Sequence, residues 1–387
     1  MTHTLHTHIT TENFEQDDYR VYLTRDLEWT TRNHPMQKTP IELEGAWGEP
    51  NAKFDPVFMQ RLCAFAKDHK FSLPPDSMWG NYYLHHQSFL DMLKQDQLES
   101  AHDLLNLMHQ SVLMTGMSQG VTEFGYITRY PDTVGTMRLK RHWDVFLGFM
   151  EYCGVISPQN HEQGASYVAT PLNDMLDALP ANIVAPQWQG GLWSLKTNRG
   201  LFTDRDLTAL YLAYKIREKM PVEASITEIG GGAGYLGYWL HVLGYRKICM
   251  VDLPSIICCQ AYQLAQNIGA HEVCLPNEEY HGQAVRFLTP DQFYSNVHTT
   301  DLVVNCDSMP EMDDASLHAY LKSIAQSANY FYSINQESRG TYGPQKRMQH
   351  VVRSVLKKQY STNYTRIDRS LFWLRNGYTE EWYSIIK

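Results

Sequence analysis

The stretch Glu228-Ile229-Gly230-Gly231-Gly232-Ala233-Gly234 decides how this chain folds. It joins a strand-like run, Ile226 to Ile229, to a helical pattern from Tyr235 to Leu243. A strand must hand the chain to a helix in a tight turn here, while leaving backbone free to approach a ligand. Glycine meets both demands, because it lacks a Cβ and tolerates positive φ. The helix that follows aims its first free N–H groups at whatever occupies the turn.

Downstream, strands and helices alternate. Lys247 to Asp252 reads as a strand and Pro254 to Asn267 as a helix. Either Glu272 to Leu275 or Val285 to Leu288 can be the third strand. Asp301 to Asn305 is an apolar, buried strand, Asp314 to Ala328 a helix, and Tyr330 to Asn335 another strand. Gln345 to Lys358 reads as an amphipathic helix with a basic outer face. Such alternation predicts a parallel sheet covered by helices on both sides. The end departs from it: Arg369 to Arg375 and Glu381 to Ile386 are strand-like runs joined across Asn376-Gly377, a hairpin signal.

Gly232-Ala233-Gly234-Tyr235-Leu236-Gly237 also satisfies the dinucleotide fingerprint, and Asp252, twenty residues after Gly232, suits a ribose diol in either case. Three features favour a methyl donor over a dinucleotide. Glu228 stands just before the glycines, the motif lies past mid-chain with room for one sheet, and an antiparallel hairpin closes that sheet. A loop serving only as a turn would leave Glu228 and Asp252 without a reason. The expected class is α/β, a Rossmann-like seven-stranded methyltransferase sheet with a terminal antiparallel hairpin, preceded by a mainly helical N-terminal domain. The expected cofactor is S-adenosylmethionine, with Glu228, Gly230, Gly231, Gly232, Gly234, Asp252, Leu253 and Asn305 as candidate binding residues.

Upstream the grammar is helical. Asp55-Pro56 is a cap and first-turn pair, after which Phe58, Met59, Leu62, Phe65 and Ala66 recur at helical spacing. Similar periodicity runs through Leu98 to Met114, Met137 to Met150 and Tyr167 to Leu179. A connector rich in Pro, Gly and Trp follows (Pro186, Trp188, Gly190, Gly191, Trp193, Gly200) and is aromatic enough to pack at the junction. Thr203 with Asp206 forms a variant capping box that opens a helix through about Met220. The expected organisation is a loose arm over 1–50, a helical substrate or lid domain over 51–180, a connector over 181–202 and the cofactor domain over 203–387.

A 387-residue chain exceeds one ordinary domain. Its formal charge of -9 argues against nucleic acid, which needs a basic footprint. No apolar stretch is long enough for a bilayer, and the polar start has no signal-peptide core. Seven cysteines without a Cys-x-x-Cys pair predict reduced, buried thiols in a cytoplasmic protein, with no metal site. The partner expected is a small-molecule acceptor, and a homodimer is compatible with the sequence.

Three motifs carry a family resemblance over about the last 185 residues. Thr227 to Gln263 contains the glycine loop, Val251-Asp252-Leu253-Pro254 and Gln260-Ala261-Tyr262. Asp301 to Met312 and Phe331 to Glu337 are the others. Together they resemble the sugar O-methyltransferase family, which implies S-adenosylmethionine as donor, held by Glu228, the Gly230 to Gly234 loop and Asp252, and a sugar hydroxyl as acceptor. A neutral hydroxyl benefits from a general base. The loop after Asp301 to Asn305 offers Asp307 and Glu311 as candidate catalytic residues, with Asn305 and Ser308 beside them. Glu311 can equally serve only to open the next helix. Asn198, Arg199, Asn335, Gln336, Glu337 and Arg339 are further cleft candidates. One alternative is methyl transfer to nitrogen or carbon of a peptide or natural product. Another is a non-catalytic binding or scaffold protein, against which the intact Glu228, glycine loop and Asp252 count.

Overall fold

The computed structural model describes residues 43–69, 78–156, 171–187, 190–295, 299–337, 341–342, 347–375 and 377–387. After strand β1 (Gly45–Trp47) comes helix α1 (Pro56–Asp68), which starts where Asp55 Oδ1 accepts from the N–H groups of Val57 and Phe58, both at 3.0 Å. The helical run continues through α2 (Met78–His85), α3 (Gln87–Lys94), α4 (Leu98–Asn106), α5 (Gly120–Arg129), α6 (Thr136–Tyr152) and α7 (Leu172–Asp177). The helix expected from Leu98 to Met114 ends early, giving way to single turns at Met108–Gln110 and Val112–Met114. Ser111 keeps the two turns from joining: its backbone is extended and its Oγ accepts from Leu113 N at 3.2 Å, a local bond that competes with the helix. Residues 167–170 of the helix expected from Tyr167 lie outside the described residues.

The connector is not irregular. Strands β2 (Trp193–Thr197) and β3 (Gly200–Phe202) form a hairpin, and β1 pairs antiparallel with β2. The loose arm expected over 1–50 lies outside the described residues up to 42, and its last residues supply β1. Trp188 also lies outside them. Trp193 packs against Trp47 with ring centroids 5.0 Å apart and donates from Nε1 to Gly135 O at 3.0 Å. Helix α8 (Asp204–Lys219) opens with the capping box read from the sequence.

The remaining elements are β4 (Ile226–Ile229), α9 (Tyr235–Val242), β5 (Ile248–Val251), α10 (Pro254–Ile268), β6 (Val273–Cys274), β7 (Val285–Leu288), α11 (Pro290–Ser295), β8 (Thr300–Cys306), α12 (Asp314–Ser327) and β9 (Ala328–Gln336). They are followed by β10 (Thr341–Tyr342), β11 (Arg347–Met348), α13 (Val352–Gln359), β12 (Tyr364–Leu371) and β13 (Tyr378–Ile385). The main sheet has the order β12-β13-β9-β8-β4-β5-β7-β6. Strands β6 to β9, β4 and β5 run parallel, and β13 is antiparallel to both its neighbours. This is an α/β arrangement around a mixed sheet of eight strands rather than the seven expected. The third sheet strand is β7, beside β5, and the two-residue β6 adds an edge beyond it.

Two more expectations shift. The amphipathic helix expected from Gln345 begins only at Val352, because Arg347–Met348 is paired with Thr341–Tyr342 in a ladder. The terminal hairpin is present but earlier in sequence, with Leu371 opposite Thr379 and Phe372 N–H donating to Tyr378 O at 2.9 Å. Strand β13 is interior to the sheet and buried on both faces from Tyr378 to Tyr383, so it carries no alternation to read. Asn376 lies outside the described residues, and Gly377 has φ 81°.

Successive side chains of each parallel strand serve opposite faces. On β5, Ile248 and Met250 join one apolar core, whereas Cys249 and Val251 join the other. The first core runs from α1, α3, α4 and α6 into α8, α9 and α10, so the helical half is fastened to that face of the sheet. Polar ties reinforce the contact: Arg61 pairs with Glu278 at 2.6 Å, and His86 Nδ1 lies 2.9 Å from Ser255 Oγ. Among the described residues no helix is long and apolar enough to cross a membrane.

Candidate cofactor and active site

A cavity of about 410 Å³ lies over the carboxyl ends of β4, β5, β7 and β8. Open parallel sheets bind ligands at this end, because loops and helix N-termini converge there. The helical half closes the cavity from above with Trp79, Gly116 and Met117.

The glycine loop forms its floor. Gly230 has φ 71°, and a Cβ there would sit 2.2 Å from Ser308 Oγ; a Cβ on Gly231 would meet the Glu228 carboxylate at 2.6 Å. Bare backbone is therefore required at both positions. Gly234, at φ 87°, starts α9 but does not line the cavity. Glu228 lines it and is buried, with Oε2 lacking a hydrogen-bond partner among the described residues. Burial, with the Asp252 carboxylate nearby, pushes its carboxyl up to about 8.

Asp252 follows directly on β5 and faces the same space. Its Oδ1 accepts from Leu253 N–H and its Oδ2 from Gln260 Nε2, both at 2.8 Å. Burial raises it to about 7, opposed by these hydrogen bonds. Gln260 also donates to Gly232 O at 2.9 Å, so one buried amide fixes the carboxylate relative to the glycine loop. Farther along, Asp291 at the start of α11 lines the cavity with Tyr294 and Tyr320, whose rings lie 4.9 Å apart. These aromatic faces and the adjacent acid suit a flat heterocycle with an exocyclic amine.

The two candidate bases differ sharply. Asp307, a non-glycine residue at φ 69°, is already engaged: Arg375 Nη1 lies 2.6 Å from Oδ2, and Tyr378 OH donates to Oδ1 at 2.5 Å. Glu311 lines the cavity with one hydrogen bond, from Trp79 Nε1 at 3.1 Å, and burial with the Asp307 charge nearby raises it to about 7. A carboxyl poised there can take up a proton near neutral pH. Glu311 does not cap α12, whose N-terminus is served by Asp313.

Other expected residues lie elsewhere. Leu253 lines the cavity, but Asn305 sits beneath it, donating to Ile229 O at 3.0 Å and to Ser308 Oγ at 2.5 Å. Arg199 donates to Pro180 O at 2.8 Å and Asn198 N–H to Asn173 Oδ1 at 3.0 Å, both away from the cavity. Glu337 is buried against Arg353 and Arg369, and neither it, Asn335 nor Gln336 lines the cavity. Arg339 lies outside the described residues. Trp79, Met117, Arg205, Gln260, Asp291 and Tyr320 belong to the site or brace it without being among the residues expected there. Only Gln260 had a signal in the sequence, being within a quoted motif; the others reach the cavity through tertiary packing.

No family model and no curated protein matches the chain. Among solved structures, it is similar to a glycopeptide N-methyltransferase complexed with S-adenosyl-L-methionine, over 46% of this chain and 94% of that one, at 14% identity and a TM-score of 0.35. It is also similar to a magnesium protoporphyrin IX methyltransferase from Synechocystis PCC 6803 with bound S-adenosylmethionine, over 47% and 79%, at 14% identity and a TM-score of 0.35. Each superposition reaches less than half of this chain, so the reading of the site rests on its own side chains and on the strand order.

Proposed function

We propose that the chain is an S-adenosylmethionine-dependent methyltransferase that methylates a hydroxyl of a small polar acceptor, with Glu311 as the base. The observation that carries this reading is the cavity itself. It brings a glycine turn, a buried unpartnered Glu228 oxygen and the tethered Asp252 carboxylate together at the carboxyl edge of a parallel sheet. Its acidic lining suits a cofactor that is cationic at sulfur and at the amine. Asp252 would take the ribose hydroxyls, Glu228 the amino end, and Asp291 with the two tyrosines the adenine.

When bound, the cofactor supplies a methyl group already activated by its sulfonium. The protein then has to place the acceptor oxygen in line behind that methyl and keep water out. Trp79, Gly116 and Met117, which line the cavity, would form the wall on the acceptor side. Glu311 would accept the proton that the acceptor hydroxyl gives up as its oxygen takes the methyl group. Asp307 holds Arg375 and Tyr378 and thereby shapes the loop, rather than moving the proton. The sugar acceptor implied by the sequence motifs, a cytoplasmic location and the division into a lid over 51–180 and a cofactor domain over 203–387 belong to the same proposal.

Calorimetric titration tests it. S-adenosylmethionine and S-adenosylhomocysteine should bind, and nicotinamide dinucleotides should not. Binding of a nicotinamide with none of either methyl-donor ligand would overturn the proposal.

A further inference from the structure

Carboxyl groups from several loops line the cavity, yet among the described residues only one cation does, Arg205. It is the second residue of α8 and begins the helical face Arg205, Thr208, Ala209 and Leu212, which lines the cavity. The acids beside it in sequence are committed elsewhere. Asp204 is paired with Arg141 Nε at 2.7 Å and with His142 Nδ1 at 3.2 Å. Asp206 Oδ2 accepts from Thr203 N–H at 3.1 Å and from Thr203 Oγ1 at 2.7 Å in the capping box. Arg205 itself donates no hydrogen bond and joins no ion pair among the described residues.

A half-buried guanidinium that feels the Glu311 carboxyl only at a distance, with no ion pair among the described residues, is well placed to accept a ligand carboxylate through two parallel N–H bonds. Arg199, the connector cation among the cleft candidates, is held on backbone carbonyls away from the cavity. The proposed cofactor has cationic groups that the acids of the cavity answer, and one anionic group that they repel.

We propose that Arg205 is the receptor for the α-carboxylate at the amino-acid end of the cofactor. This assignment rests on the methyltransferase reading above, and it makes the first turn of α8 part of the cofactor site.

The test is calorimetric and needs no acceptor. S-adenosylhomocysteine is compared with its decarboxylated analogue, which keeps the amine and lacks only the carboxylate. The wild-type chain should bind S-adenosylhomocysteine roughly 10- to 100-fold more tightly, the worth of hydrogen bonds between charged groups. Arg205→Met should erase that preference by weakening the carboxylate ligand alone. Arg205→Lys, which keeps a point charge without the fork, should restore part of it. Unchanged preference in Arg205→Met overturns the assignment, as does equal loss of both ligands in the Met and Lys variants. If the wild-type chain binds neither ligand, the cofactor reading itself falls, an outcome distinct from failure of the Arg205 assignment alone.

Discussion

The indole Nε1 of Trp79 donates to Glu311 Oε2 at 3.1 Å, joining residues 232 positions apart in the chain. A helix of the N-terminal half thus bonds directly to a carboxyl group in the sheet loop. The bond favours the charged form of Glu311 and opposes the burial that raises it. Trp79→Phe keeps an aromatic wall and removes the donor. It is expected to move the Glu311 titration upward by about half a unit to one unit, the equivalent of one ordinary hydrogen bond. Carbon-13 NMR of glutamate-labelled protein, assigned with Glu311→Gln, reads this directly. An unmoved titration would show that the bond does not govern the base.

Glu311→Gln preserves shape and removes the base. Turnover is expected to fall roughly 10²–10⁴-fold, with S-adenosylhomocysteine affinity nearly unchanged. Because Glu311 is held at about 7, the wild-type rate should climb as pH rises through that value, whereas the variant should show no such limb. Radiolabelled methyl transfer to a panel of sugars across pH checks both. Full activity in the variant would move the base elsewhere.

Asp307→Asn should behave differently. Asparagine also tolerates the left-handed backbone at φ 69°, so the substitution tests the charge and not the turn. Losing the charged bonds to Arg375 and Tyr378 is expected to cost about 1–2 kcal/mol of stability at this part-exposed site. Turnover should change less than in Glu311→Gln. Denaturant unfolding beside the activity assay separates the two roles, and a collapse of turnover at unchanged stability would make Asp307 the base instead.

Asp252→Ala removes the tethered carboxylate expected to hold the ribose. Cofactor affinity should weaken by about 1.5–3 kcal/mol, the range for bonds to a charged group. Isothermal titration of S-adenosylhomocysteine gives the value, and an unchanged affinity would place the ribose elsewhere.

The acidic cavity also has a signature in stability. Burial holds Glu228 at about 8, and Asp252 and Glu311 at about 7, above their ordinary 4.5, 3.8 and 4.5. Between the ordinary and raised values the folded chain binds more protons than the unfolded one, so these groups make stability fall as pH rises. The ligand-free protein should unfold at a lower temperature at about pH 8.5 than at about pH 5.5, and Glu228→Gln should narrow the gap. Scanning calorimetry at both values tests this, and equal narrowing by a surface Glu→Gln change would refute the assignment.

Local chemistry made much of this protein legible in its sequence. Ile226–Ile229, the glycine turn, the capping box at Thr203 and Asp206 and the parallel strands around Asp252 depend on residues close together in the chain. Glycine conformational freedom, side-chain capping and short apolar runs act over a few bonds, so their pattern is written where they act. Elements whose partners are distant were less legible. Strand β1 exists because β2 pairs with it, the two-residue β6 because β7 offers an edge, and the buried β13 lacks the alternation that would mark its start. The active site divides the same way. Glu228 and Asp252 announce themselves beside a glycine loop, but nothing local ranks Asp307 against Glu311. That choice falls to Arg375 and Tyr378, which engage one carboxylate, and to Trp79 and burial, which leave the other near neutrality. Arg205 is likewise an ordinary helix residue in the sequence. Only tertiary packing turns its face to the cavity while Arg141 and His142 claim the acid beside it, because charge pairing is settled by distance in space and not along the chain.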